Sequence, residues 1–171
     1  MIRKIFAALL LTTIIFFAQS VSAQPEFNYQ VSVQDIGWMP PVKEGEIAGT
    51  VGESRRLEAL QIHFAGGIKY RAHVQDIGWQ DWVYEGGIAG TVDESRRMEA
   101  IKIQMVGRTT QYYDVYYRVH MQDYGWTGWA RNGEPCGSTG AGMRMEAIQI
   151  KLVNIGEHFN RGSSPIFYQA P

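Results

Sequence analysis

The chain has 171 residues, with 16 Lys+Arg against 17 Asp+Glu for a formal charge of −1, and is 45% hydrophobic with 19 Gly, 5 Trp, 9 Tyr and 7 Phe. Apolar content this high with so little net charge argues against a disordered chain, and the near-neutral balance gives no electrostatic basis for binding nucleic acid. The one cysteine, Cys136, excludes an intramolecular disulfide framework and a multi-cysteine zinc cluster.

Residues 1–23 read as a secretion signal. Arg3 and Lys4 are followed by an apolar run over residues 5–18, and Val21-Ser22-Ala23 supplies the small residues a signal peptidase reads. The run is shorter than the ~20 residues a membrane span needs. Cleavage is expected after Ala23, with no membrane span afterwards, which predicts a secreted, extracellular product.

From there the chain is one motif written three times. Gln34-Asp35-Ile36-Gly37-Trp38 recurs as Gln75-Asp76-Ile77-Gly78-Trp79 and as Gln122-Asp123-Tyr124-Gly125-Trp126. Residues 34–62 match 75–103 at 20 of 29 positions, and 75–103 match 122–150 at 13 of 29. Chance would give about two per pair.

Each copy predicts short strands. Tyr29, Val31 and Val33 alternate, as do Tyr70, Ala72 and Val74, and Tyr117, Val119 and Met121. A second strand is expected over 79–84, Gly86-Gly87 and Gly90-Thr91 read as turns, and a third strand is expected over 97–105. Tyr112–Tyr117 extends or adds a strand before copy three, and the extra residues around 106–112 fit a loop. No stretch of ten or more residues after the signal has clean helical periodicity.

A lone three-stranded copy cannot bury its apolar face, whereas three copies around an axis can, and closure limits exposed sheet edges. The predicted fold is all-β, a pseudo-threefold arrangement of three β repeats, β-prism-like with β-trefoil as the alternative. A single domain is expected over 24–155, with repeats at about 27–65, 68–106 and 112–153. Residues 156–171 form a C-terminal tail, either loose or pairing Ile166-Phe167-Tyr168 with a sheet edge.

The pattern Y-R-x-H-V-Q-D-x-G-W, then W-x-x-W, A-G-T and R-x-E-A-I-x-I, resembles the clostridial hydrophobic repeats with a Trp signature, the ChW repeats. Residues 113–118 through 146–150 are the best match. The resemblance implies an extracellular, non-catalytic attachment module that engages carbohydrate or cell-surface partners. Copy one departs from the pattern, with Pro41 where Trp82 and Trp129 stand and Ser32 where His73 and His120 stand. Copy three has Cys136 where Ala48 and Ala89 stand.

In an extended 79–84 strand, Trp79 and Trp82 take opposite faces. Trp38, Trp79 and Trp126, present in every copy, are expected to anchor the core. Trp82 and Trp129 are the candidate ligand-binding residues, as exposed plates for a sugar ring, although an exposed Trp can equally cover a neighbouring sheet. His73, His120 and Gln80 are weaker polar candidates. The repeated pairs Arg56/Glu58, Arg97/Glu99 and Arg144/Glu146 read as paired structural carboxylates on one strand face, because three copies of one Glu fit that role better than a general acid. Asp35, Asp76 and Asp123 read as turn formers, and Cys136 as a small buried residue. No histidine pair has zinc-protease spacing, and no nucleophile–base arrangement is visible. The expectation is no catalytic residue, no metal and no cofactor. The partner is a polysaccharide or cell-surface glycan, or alternatively a cell-surface protein met in adhesion or assembly.

Overall fold

The computed structural model describes residues 26–170, so the predicted signal at 1–23 lies outside the described residues. The first repeat supplies β1 (Phe27–Val33), β2 (Gly37–Trp38), β3 (Val42–Lys43), β4 (Ile47–Gly49) and β5 (Leu57–Phe64). The second supplies β6 (Ile68–Val74), β7 (Gly78–Trp79), β8 (Val83–Tyr84), β9 (Ile88–Gly90) and β10 (Met98–Met105). A 3₁₀ turn at Gly107–Gln111 takes up the extra residues before copy three. The third repeat supplies β11 (Tyr113–Met121), β12 (Gly125–Trp126), β13 (Ala130–Arg131), β14 (Cys136–Thr139) and β15 (Met145–Asn154), and the tail adds β16 (Phe167–Gln169).

Each repeat builds its sheet on one long antiparallel pair: β1 with β5, β6 with β10, β11 with β15. The three sheets close into a ring by exchange. Strand β9 of the second repeat pairs with β5 of the first, β14 of the third with β10 of the second, and β4 of the first with β15 of the third. The protein is therefore an all-β, pseudo-threefold structure with three separate sheets, the prism-like arrangement rather than a shared trefoil barrel. Exchange gives every long pair a partner on its outer edge, which removes the exposed edge a lone repeat would carry.

The period-two alternation positions the core. Ile68, Tyr70, Ala72 and Val74 of β6 are buried, while Lys69, Arg71 and His73 face outward. On β10 the phase shifts at a bulge. Met98 lies opposite Val74 and Ala100 opposite His73, so Glu99 is the extra residue. Glu58 and Glu146 hold the same position in the other sheets. The simple alternation expected for Arg-x-Glu thus breaks at the Glu, because a bulge sets two residues against one.

Tyr29, Tyr70 and Tyr117 fill the centre, each with no exposed surface. Each hydroxyl donates to a carbonyl of its own repeat, at Glu46, Gly87 and Glu134. The Tyr29 hydroxyl also accepts from the Ile150 N–H at 3.1 Å, and that of Tyr70 from the Ile62 N–H at 2.9 Å. These tyrosines tie each repeat to the long strand of the repeat before it. Burial pushes the Tyr70 hydroxyl up to about 12 and raises those of Tyr29 and Tyr117 as well.

Gly90, expected in a turn, belongs to β9. The reason is close approach: a Cβ there would come 2.2 Å from the Glu58 carbonyl oxygen, and φ is +105°. Gly49 and Gly137 meet Glu146 and Glu99 in the same way. Only a residue without a side chain lets the exchanged strand cross that closely.

Candidate functional site

The tryptophans of the Gly-Trp motif do not anchor the core. Trp38 is 37% exposed, and Trp79 and Trp126 are half-buried on the outer faces. The expected strand over 79–84 is two short pieces, β7 and β8, with irregular chain between them. Alternation does not carry across that break, so Trp79 and Trp82 flank the same side chain instead of taking opposite faces.

That side chain is Arg71. Its guanidinium carbon lies 5.3 Å from the Trp79 ring centre and 4.8 Å from that of Trp82. The Lys69 ammonium stands over Trp82 at 4.7 Å, and the Lys102 ammonium over Trp79 at 4.9 Å. A cation over an indole face is held there by the ring quadrupole, with about 0.5–1 kcal/mol at an exposed site. A groove of about 390 Å³ is lined by Trp79 together with His73, Lys102, Pro135, Thr139, Phe167 and Gln169.

Glu99, at the bulge, anchors the base of this array. It is 5% exposed and accepts from Arg97 Nε at 2.9 Å. Its other oxygen lies 3.0 Å from His73 Nδ1, and the His73 ring meets Trp79 edge-on at 5.4 Å. Glu146, Arg144, His120 and Trp126 repeat this arrangement in the third sheet. The carboxylate is therefore the paired, buried one the repeat suggested. His73 and His120 each stand between a Glu and a Trp, orienting the indole. Gln80 spends both ends of its amide on the Gly90 backbone, at 2.7 and 3.0 Å, which pins β9 and leaves little for a ligand.

The third sheet has the same stack, with Arg118 between Trp126 at 4.8 Å and Trp129 at 4.7 Å. Here the tail lies over Trp129, and a groove of about 330 Å³ remains between it and Arg118 and Trp126. Phe159 meets Trp129 edge-on at 5.3 Å and packs on Tyr116 at 4.4 Å. The Trp129 N–H donates to the Arg161 carbonyl, and Arg161 Nε donates to the Trp129 carbonyl at 2.8 Å. Trp129 is left 8% exposed. It is not the open plate expected from its equivalence with Trp82, because the tail supplies the neighbour that covers it. Gly128 permits this: a Cβ there would come 2.3 Å from the Ser164 carbonyl oxygen, and copy two carries Asp81 at that position. The tail then runs on as β16, parallel to β14 at the edge of the second sheet. In the first sheet Gln30 replaces the Arg and hydrogen-bonds Gln61, and Pro41 replaces the second Trp.

Trp82 is therefore half-buried beneath Lys69 and Arg71, and Trp129 is buried beneath the tail. Lys69, Arg71 and Lys102 were not singled out by the sequence reading. Their signal was the outward phase of β6 and the change from Gln30/Gln61 to Arg71/Lys102 between copies one and two. Cys136 has no exposed surface, hydrogen-bonds Thr127 at 3.3 Å and has its thiol pushed up to about 12 by burial. It is a core residue. Among the described residues no cluster of three or more His, Cys, Asp or Glu is placed to hold a metal.

Fold and face together define a three-repeat, strand-exchanged β protein with tryptophan–cation stacks on its outer surface. A family model described as ChW, Clostridial hydrophobic W, matches residues 33–66, 73–107 and 120–154, more than half of the chain. The chain belongs to that family. No curated protein and no solved structure matches it.

Proposed function

We propose that the protein is a secreted, non-catalytic binding module that attaches to polysaccharide or cell-surface glycan through the outer face of the second sheet. The observation that carries this is the Trp79–Arg71–Trp82 stack, with both tryptophans half-buried beside a groove, while the tail buries Trp129 of the third-sheet stack. Aromatic rims combined with fixed hydrogen-bond donors suit sugar rings, which present apolar C–H faces and hydroxyl acceptors. With Trp129 buried by the tail and Pro41 in place of the second Trp of the first sheet, the second sheet is expected to dominate binding, at 1:1 per chain. Pull-down on insoluble polysaccharides and a glycan array test the reading. Loss of binding in Trp82→Ala, with binding kept in Trp129→Ala, supports it, and absence of binding to every glycan ends it.

A second reading is a protein–protein adhesion module. It is favoured by Ile36, Ile77 and Tyr124, which stand 48%, 49% and 43% exposed at the tips of equivalent turns. Exposed apolar side chains at repeated positions suit a protein partner. Protease treatment of the target surface separates the two: attachment that survives favours the glycan.

A further inference from the structure

Arg71 and Lys102 lie directly opposite each other on the antiparallel pair β6/β10. Like charges in that register repel. The equivalent pairs in the other sheets are hydrogen-bonded and free of repulsion: Gln30 bonds Gln61 at 2.6 Å, and Arg118 Nε donates to Gln149 at 2.9 Å. In the second sheet Lys102 offers no acceptor, and Arg71 Nε is buried with no hydrogen-bond partner. Lys69 adds a third cation two residues along β6. Glu99, the buried acid of this face, is bound to Arg97. Asp81, the acid nearest in sequence to Trp82, is exposed on the connection between β7 and β8. Among the described residues no ion pair neutralises Lys69, Arg71 or Lys102. Burial and the neighbouring Arg71 both depress the Lys102 pKa, so the charged form is held at a cost that a bound anion would remove.

Three cations with no acidic partner, two of them directly opposed beside a pair of indoles, form a surface suited to an anion. We infer that the outer face of the second sheet receives an anionic polysaccharide, whose carboxylate, sulfate or phosphate groups are bound by Arg71 and Lys102 while its sugar rings lie along Trp79 and Trp82. This rests on the glycan-binding reading and narrows it to acidic chains. Charge-assisted, forked hydrogen bonds to a guanidinium are the strong polar contacts such a ligand offers.

The test uses the purified protein with polygalacturonate, its fully methyl-esterified form, heparin, a phosphomannan, and neutral cellulose, mannan and chitin. The variant is Arg71→Gln/Lys102→Gln, which installs the Gln–Gln pair already present in the first sheet and so is compatible with the fold. Lys102→Gln alone installs the Arg–Gln pair of the third. The expected result is binding to at least one charged polymer, at least about tenfold weaker for the neutral ester and for the double variant, and falling with added salt. The three charged polymers distinguish carboxylate, sulfate and phosphate. Equal binding of polygalacturonate and its ester, retention by neutral polymers alone, or unchanged binding by the double variant overturns the inference; if Trp82→Ala abolishes that binding, the glycan reading stands. No binding to any polymer overturns both.

Discussion

The second and third sheets share one motif and present different surfaces. Both set an arginine between two tryptophans, and both brace the first tryptophan with a His–Glu–Arg chain. Three of their differences bear on the stack. Gly128 replaces Asp81 and admits the tail, Tyr116 replaces Lys69 and gives Phe159 an aromatic partner, and Gln149 replaces Lys102 and satisfies the arginine. The tail buries Trp129 but leaves a groove of about 330 Å³ at Arg118 and Trp126, and Arg118 has Gln149 as an acceptor, while in the second sheet Trp82 is half-buried and Arg71 faces Lys102. Three substitutions on one scaffold thus separate a stack whose second tryptophan is buried by the tail from one whose facing cations have no acceptor.

The largest expected effect falls on what the two faces share, the tyrosine core. The hydroxyls of Tyr29, Tyr70 and Tyr117 are raised above their ordinary value of 10.0 in the folded protein. The neutral form is favoured by folding, so the stabilisation is complete below pH 10. It is lost as pH climbs past 10, where the unfolded chain ionises first, through about 12 for Tyr70. Urea midpoints should hold steady from pH 8 to 10 and fall steadily above it. A flat profile up to pH 11.5 would mean the hydroxyls are not buried as described.

Next in size is removal of the buried carboxylate. Glu99→Gln and Glu146→Gln should each cost about 3 kcal/mol by denaturant unfolding, since each strands an Arg and a His. Glu58→Gln should cost less, because Ser32 stands where the histidine would be. A clear inequality between the second and third sheets would show that their bracing is not equivalent.

The tail is the sharper instrument. Phe159→Ala should cost about 2 kcal/mol and uncover Trp129, giving one more iodide-quenchable tryptophan and leaving Trp82 unchanged. If quenching is unaltered, Phe159 is not what covers Trp129. The smallest change has the opposite sign. Lys102→Gln removes the facing cations and gives Arg71 an acceptor, so it should stabilise by about 1 kcal/mol. Gln149→Lys should destabilise by a similar amount. Should Lys102→Gln lower the melting temperature, the like-charge argument fails.

Much of the fold was legible because β6 alternates along its whole length and the other long strands alternate over much of theirs. Tyr70, Ala72 and Val74 point in together, and the repeat made the ring of three an expectation rather than a guess. The exchanged strands were hidden by their shortness and by glycines that read as turns, although close approach is what requires them. The tryptophans were misplaced for a related reason. Residues 80–82 leave the ladder, and parity has no meaning where the chain is not a strand. Docking of the tail depends on contacts over 30 residues apart in sequence, such as Arg161 with Trp129. Only Gly128 marks it locally.

Strand exchange also dictates an order of assembly. The first repeat cannot finish until β4 meets β15, about a hundred residues later. An emerging chain must therefore keep two thirds of itself waiting for its last third. Such long-range closure slows folding. It also means that a chain interrupted before β15 leaves β4 and β11 without β15 as their partner and the ring of repeats open.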